Sequence, residues 1–248
     1  MSGQFAGRTA LVTGASRGIG AVIAATLARK GARCLLTARN AASLDRLVDA
    51  IRADGGDAAA FALDLEDPAA IAAAVGRLRA GTERLDVVVL NAALGGVRLP
   101  LVDYPMDVWM RLFQVNVHAN LALLAGLHPL LAQSDAGRVV VVSTGVSRVA
   151  KAHTGAYAVS KAALEALAGI YALEVAGTPI RINVVNPGAT RTQMRAEAFP
   201  QEDPATVKPA AALMPLIVEL ASVACIRQGE WIAADKWLAE RADREPIR

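Results

Sequence analysis

The stretch Thr9-Ala10-Leu11-Val12-Thr13-Gly14-Ala15-Ser16-Arg17-Gly18-Ile19-Gly20 decides the fold. Thr9 to Val12 is an apolar run that reads as a short buried strand, and from Ile19 to Lys30 the apolar positions recur at helical spacing. Between them lies a turn built on three glycines. Such a turn between a buried strand and a helix lets backbone amides approach a pyrophosphate, and the helix N-terminus favours the negative charge. Gly14 would permit the tight turn, Gly18 the close approach, and Gly20 the packing of helix on strand. A glycine cluster by itself is often a plain structural turn. The strand before it, the helix after it and a second motif downstream make this one a dinucleotide site.

That second motif is Tyr157-Ala158-Val159-Ser160-Lys161, which places a phenol and an ammonium one helical turn apart. Side chains at i and i+4 share a helix face, with Cβ atoms roughly 5–6 Å apart. A free tyrosine titrates at about 10, too high for proton exchange at neutral pH. A positive charge nearby stabilises the phenolate and brings that value toward acid/base range. An isolated pair at this spacing is usually two polar residues on a helix; with the glycine turn upstream it reads as a proton-transfer site.

The remaining chain repeats the alternation of strand and helix. Apolar runs at Cys34–Thr37, Ala58–Leu63, Asp86–Leu90, Val139–Val142 and Ile180–Val185 are continuous, as strands covered by helices on both faces require. Strand–helix alternation argues for parallel βαβ units with right-handed crossovers. The expected class is therefore α/β, a doubly wound parallel sheet. A chain of 248 residues holds one large or two small domains. With no linker, charge block or repeat, one domain over residues 1–248 is expected.

With both motifs on the page, the chain resembles the short-chain dehydrogenase/reductase family from about Gly7 to Thr192. The resemblance implies a single Rossmann-type domain, with about seven strands in the order 3-2-1-4-5-6-7. It also implies a nicotinamide cofactor and a tetrad of Asn, Ser, Tyr and Lys. Tyr157 and Lys161 match two tetrad members, and Asn116 in Phe113-Gln114-Val115-Asn116-Val117 matches a third. Where the family has its serine stands Thr144, with Ser143 beside it as runner-up and Ser147 further along the loop. A threonine hydroxyl can donate the same hydrogen bond, but its methyl stiffens χ1 and crowds the site. By the same resemblance the cofactor would contact Gly14, Ser16, Arg17, Gly18, Ile19 and Gly20 in the turn, and Asp64 and Leu65 at the adenine. Asn91 and Ala92 belong to a segment like the family's Asn-Ala-Gly motif, with Ala93 in place of glycine. Pro187, Gly188, Thr190 and Thr192 match the segment that holds the nicotinamide carboxamide, and Tyr157 and Lys161 would touch the cofactor as well.

Charge argues for which cofactor. Sites that prefer NAD place a carboxylate beyond the glycines to bind the ribose 2′-hydroxyl. Here Leu36-Thr37-Ala38-Arg39-Asn40 has none before Asp45. Arg39 and Arg17 would instead pair with a 2′-phosphate, which suits the planar, permanently charged guanidinium. NADP(H) is therefore expected over NAD(H). Tyr157 would then protonate the nascent alkoxide, Thr144 would hold that oxygen, Lys161 would lower the tyrosine pKa and bind the ribose, and Asn116 would position a water.

The expected activity is that of a carbonyl reductase or alcohol dehydrogenase. The alternatives are an isomerase or dehydratase on the same scaffold, and a non-catalytic NADP(H) sensor or interaction protein. A cover over the site is expected from about 191 to 208, mobile because Pro200 and Pro204 flank Glu202 and Asp203. The basic flank Ser147-Arg148-Val149-Ala150-Lys151-Ala152-His153 reads either as a solvated loop or as a preference for an anionic substrate. Gly229-Glu230-Trp231-Ile232-Ala233 reads as a seventh strand, and Asp235 to Arg241 as a short helix before a charged tail. The stretch from Arg191 through Ile217 is similar to that of an uncharacterised group of bacterial family members.

Hydrophobic residues make up 54% of the chain, enough for a sizeable core and buried subunit contacts. The net charge of +3 is spread along the chain and gives no support for nucleic-acid binding. Cys34 and Cys225 match no metal or redox spacing, and no metal is expected. Met1-Ser2-Gly3-Gln4 lacks a signal-peptide pattern, so a cytoplasmic location is expected. Val115 to Ala132 and Pro209 to Ile226 approach the ~20-residue length of a membrane span. Asn116, His118 and Asn120 in the first, and Pro209, Pro215 and Glu219 in the second, favour buried or subunit-contacting helices instead. The family commonly dimerises through the helices after its fourth and fifth strands, so Val108–Leu131 and Gly155–Ala176 are the expected faces of a homodimer or homotetramer with a small-molecule substrate.

Overall fold

The computed structural model describes residues 3–244; Met1-Ser2 and the charged tail from 245 lie outside the described residues. The chain opens with β1 (Thr9–Thr13), α1 (Gly18–Arg29), β2 (Arg33–Ala38), α2 (Ala41–Ala53), β3 (Asp57–Ala62), α3 (Pro68–Gly81) and β4 (Val87–Leu90). It continues with α4 (Met106–Phe113), α5 (Ala119–Ala132), β5 (Arg138–Val142), α6 (Gly155–Glu174) and β6 (Arg181–Asn186). Last come β7 (Thr190–Arg191), α7 (Gln193–Ala198), β8 (Lys208–Pro209), α8 (Met214–Ala221), β9 (Trp231–Ala233) and α9 (Ala234–Arg244).

Seven strands form one parallel sheet in the order β3-β2-β1-β4-β5-β6-β9. This is the expected doubly wound order, with β9 as its seventh strand. Alternate residues of each strand face opposite sides. Val87 and Val89 therefore join a core under α1, α2 and α8, while Val88 and Leu90 join a second core under α3, α5 and α6. Both faces are covered, which is why the strands read as unbroken apolar runs.

Local chemistry explains several boundaries. Asn40 caps α2 by accepting from Ser43 N at 2.8 Å, and Asp67 caps α3 by accepting from Ala69 N at 2.8 Å, with Pro68 at the first helical position. The helix expected over Val108–Leu131 is not regular. Residues 106–132 run as one helical rod, but Gln114–His118 is a π turn between α4 and α5. The rod is long and apolar enough to cross a membrane, yet half of its apolar window is buried against the rest of the fold. The second apolar stretch is helical over Ala210–Ala221 only. Ala210–Leu213 is a tight 3-10 turn, α8 has eight residues, and the chain turns away at Ser222.

The segment expected to cover the site, 191–208, carries local structure of its own. β7 and β8 pair in parallel, Thr190 opposite Lys208 and Arg191 opposite Pro209, so both ends of the segment are stitched together. Within it Arg195 clasps Glu202 through Nε (2.7 Å) and Nη2 (2.6 Å). Phe199 sits between the guanidinium groups of Arg195 and Arg98, 3.8 and 5.0 Å from its ring centre.

Candidate active site

The carboxyl ends of β1, β4, β5 and β6 converge where the strand order reverses, the place at which open α/β sheets bind ligands. Beyond β1 the glycine turn has Gly14 at φ +65° and Gly18 at φ +58°, both in the region that favours glycine. A Cβ on Gly14 would meet Ala92 Cα at 2.8 Å, so β4 lies hard against the turn. At Gly18 nothing stands nearer than Thr192 Cγ2 at 3.5 Å, leaving room above the backbone. A Cβ on Gly20 would run into the Gly14 carbonyl and Asn91 Nδ2. Alanine is the better helix former by about 1 kcal/mol. Gly20→Ala should nevertheless lower stability, by about 1–3 kcal/mol, because the obstacle is backbone and must shift. A thermal denaturation showing Gly20→Ala as stable as wild type would contradict this packing.

The start of α1 is open. Arg17 at its N-cap makes no side-chain cap, and the first turn holds no acid. Its orphan amides and positive dipole end are therefore available to an anion. Asn91 faces the other way, donating to the carbonyls of Thr13 (2.9 Å) and Gly14 (3.2 Å). Thr13 completes this tie: its hydroxyl donates to Val89 O (3.2 Å) and accepts from the amides of Asn91 (3.0 Å) and Ala92 (3.1 Å). The sequence reading passed over Thr13 because a threonine closing a strand carries no distinctive spacing.

The tetrad candidates gather at the ends of β4 and β5. Tyr157 hydrogen-bonds Thr144, while Ser143 Oγ is turned away and donates to Glu165 at 2.5 Å. Thr144, not Ser143, thus occupies the position beside the phenol. Lys161 is buried, and its Nζ donates to Val142 O at 2.8 Å. An ammonium taken out of water needs an acceptor, and here the strand end supplies it. Burial pushes the Lys161 ammonium down to about 8, against the opposing charge of Glu165. Burial also pushes the Tyr157 phenol up, and the Thr144 hydrogen bond pulls it back.

Asn116 lies in the π turn with its side chain fully engaged. Nδ2 donates to Leu94 O and Ser160 Oγ, both at 3.0 Å, and Oδ1 accepts from Leu94 N at 2.9 Å. Its carbonyl accepts from Asn120 Nδ2 at 3.0 Å. Asn116 therefore ties the residue before Lys161 to the loop after β4.

On the far side Asp64 accepts from Glu66 N at 2.9 Å, and Leu65 is buried with its carbonyl bonded by Gln114 Nε2 at 3.2 Å. Ser16 and Ile19 are partly buried, Ile19 against the α1-side core. Arg39 reaches Glu66 at 3.2 Å, which also takes a two-pronged contact from Arg111, and Arg17 bonds Gln193 of α7. Beyond β6, Gly188 turns at φ +66° with its amide on Asn186 Oδ1 (3.0 Å). Thr190 Oγ1 donates to Pro187 O at 3.1 Å, and Thr192 caps α7. A Cβ on Gly188 would strike the Asp235 carboxylate, which pairs with Lys208. The C-terminal helix thus begins directly over this segment. Arg148 of the basic flank pairs with Glu165 and lies over the Trp231 ring while its side chain stays half exposed.

Comparison with known proteins follows this geometry. The short chain dehydrogenase family matches residues 8–203. An uncharacterized oxidoreductase of Escherichia coli K12, YciK, is 42% identical over 219 residues, 86% of this chain and 85% of the relative. The chain belongs to the short chain dehydrogenase family. A short chain dehydrogenase from Shigella flexneri, solved in complex with NADP, superposes with a TM-score of 0.91 at 38% identity, covering 95% of this chain and all of that one. A relative from Escherichia coli CFT073, solved with NADPH, gives a TM-score of 0.90 at 39% identity over 94% of this chain and 99% of its own.

Within this short chain dehydrogenase other contacts near these strand ends involve residues that carry no family motif. Tyr104 accepts from Val97 N at 3.2 Å, and its ring lies where a Cβ on Gly155 would be 2.9 Å away. Met194 of the cover packs over Gly95. Met194 lies in the segment expected as a cover from its sequence, whereas Tyr104, Gly95 and Gly155 carry no sequence signal and are brought together only by the fold.

Proposed function

We propose that this dehydrogenase is an NADP(H)-dependent enzyme that interconverts a carbonyl and an alcohol, with Tyr157 as the acid/base, in a single domain over 1–248. The observation that carries the reading is the Tyr157–Thr144 hydrogen bond, next to buried Lys161 and on the same sheet edge as the glycine turn. The residues fit a dinucleotide: Gly18 keeps clear the space a Cβ would fill, and α1 presents uncapped amides beside it. Gly14, Ser16, Gly18 and Ile19 would hold the pyrophosphate side, Asp64 and Leu65 the adenine, and Pro187, Gly188, Thr190 and Thr192 the nicotinamide. Bound there, the cofactor supplies the hydride.

The chain's own groups do the rest. Tyr157 gives its phenolic proton to the oxygen of the reduced carbonyl, and Thr144 donates a hydrogen bond to the same oxygen. Lys161 supplies a fixed positive charge below them. Asn116 keeps the π turn and Ser160 in register with that lysine. Arg39 and Arg17 favour NADP(H): the Arg39–Glu66 pair is worth about 0–1 kcal/mol and Arg17 bonds the neutral amide of Gln193, so both contacts are readily exchanged for a 2′-phosphate. Complexes of two relatives with NADP and NADPH support the same choice. Two free, buried thiols, Cys34 and Cys225, suit a reducing cytoplasm. Exposed Leu121 on α5 and Ile170 and Leu173 on α6 suit a homodimer or homotetramer through these helices.

Fluorescence titration with NADPH and NADH tests the cofactor. NADPH oxidation against a panel of 3-oxoacyl thioesters, diketones, aldehydes, keto-sugars and steroids then tests the chemistry. NADPH should bind at least tenfold tighter than NADH, a difference of about 1.4 kcal/mol, and one carbonyl class should turn over. Tight binding without turnover on any class would point to a sensor, and preference for NADH would refute the arginine argument.

A further inference from the structure

Glu165 stands one helical turn beyond Lys161 on the same face of α6. Its side chain is only 8% exposed. Oε1 accepts from Ser143 Oγ and Ser147 Oγ, both at 2.5 Å, and from Trp231 Nε1 at 2.9 Å, while Oε2 accepts from Arg148 Nε at 3.0 Å. Arg148 in turn lies 4.5 Å above the Trp231 ring. A carboxylate withdrawn from water is costly unless paired and hydrogen-bonded. This one is supplied with four donors from the β5–α6 loop and β9. Two of them, Ser143 and Ser147, lie on either side of Thr144, and Ser147 shares its single hydroxyl proton between Glu165 and the Thr144 carbonyl, 2.6 Å away.

We propose that Glu165 is a positioning residue: its carboxylate holds the loop that presents Thr144 to Tyr157 and keeps the charge on Lys161. The proposal rests on the proton chemistry assigned above to Tyr157 and Lys161. Burial pushes the Lys161 ammonium down, and the Glu165 charge opposes that push. The groups packed around the pair are few. Tyr157 is on α6 itself, and the loop brings Arg148 as its one charge near Glu165. Trp231 of β9, Asn186 of β6 and Asn116 of the π turn are neutral. Asp107 and Arg111 of α4 are exposed, Arg111 on Glu66.

The test needs no substrate. Titration of Lys161 is followed by NMR in protein carrying isotope-labelled lysine, its resonance assigned by loss in Lys161→Met. Glu165→Gln should move that titration to lower pH by about half a unit or more. Arg148→Met, which removes the countercharge and leaves an apolar stem over Trp231, should move it to higher pH. A purely structural role for Glu165 predicts no such pair of opposite shifts. Either variant leaving Lys161 unmoved, or moving it the other way, overturns the proposal. If Glu165→Gln does not fold, Arg148→Met, at a side chain 53% exposed, decides alone. Failure of the underlying reading shows elsewhere, as turnover retained by Tyr157→Phe.

Discussion

Tyr157→Phe should lose turnover by roughly a thousandfold or more, within the 10²–10⁴ range of a positioned general acid, while NADPH affinity stays within a few-fold of wild type. The phenylalanine ring preserves the packing at the start of α6 and removes only the group that meets Thr144. Losing that hydrogen bond costs about 1 kcal/mol of stability at most, so the variant should fold and bind. The comparison is NADPH oxidation with the carbonyl class found active, set beside the same fluorescence titration. Turnover near the wild-type rate would remove Tyr157 from the chemistry. A large loss of NADPH affinity would mean that the phenol serves binding instead.

The second large effect runs against intuition: Lys161→Met should abolish turnover and make the cofactor-free protein more stable at pH 7. Burial lowers the folded-state value of this lysine from 10.5 to about 8. That difference amounts to roughly 3 kcal/mol against the charged form. The native state releases the proton near 8, whereas the unfolded chain holds it to about 10.4. Between those limits the unfolded state binds more protons, so wild-type stability rises with pH. Below 8 the whole penalty is present. Methionine avoids it but leaves Val142 O without its donor, worth about 1 kcal/mol. The net gain near pH 7 should be about 2 kcal/mol, shrinking from pH 8 upward until the missing hydrogen bond leaves the variant the less stable near 10.5. Urea unfolding of the two proteins at neutral and alkaline pH reads it directly. A variant less stable than wild type at pH 7 would mean that the buried ammonium is better satisfied than its environment indicates.

What was legible in the sequence was whatever repeats or sits at fixed spacing. The apolar runs became β1 to β6 within a residue or two, and Trp231 to Ala233 became the seventh strand of the sheet. Tyr157 and Lys161 stand out because residues at i and i+4 share a helix face, and Thr144 because it stands where the family resemblance puts a serine. The π turn at Gln114–His118 was not legible, since its backbone differs from an α-helix by one residue of register. Its cause is tertiary: Asn116 reaches Leu94 and Ser160, and Asn120 gathers the loosened carbonyls of Val115 and Asn116. Glu165 was missed for a related reason. Read along the chain it is one more charge on a helix, and only the return of β9 with Trp231 encloses it. The clasp of Glu202 by Arg195 was not legible either, because a charge pair seven residues apart in a loop has no fixed spacing.

The small ladder of β7 and β8 sets the segment between them apart from the rest of the fold. Closing a loop costs only about 0.6 kcal/mol more for each doubling of its length, so once Thr190 and Arg191 are paired with Lys208 and Pro209, what lies between can grow, shrink or change composition cheaply. None of Asn116, Thr144, Tyr157 and Lys161 stands on that loop. The ladder thereby uncouples the length and composition of residues 192–207 from the elements that carry those four side chains, so a change inside the loop need not disturb them.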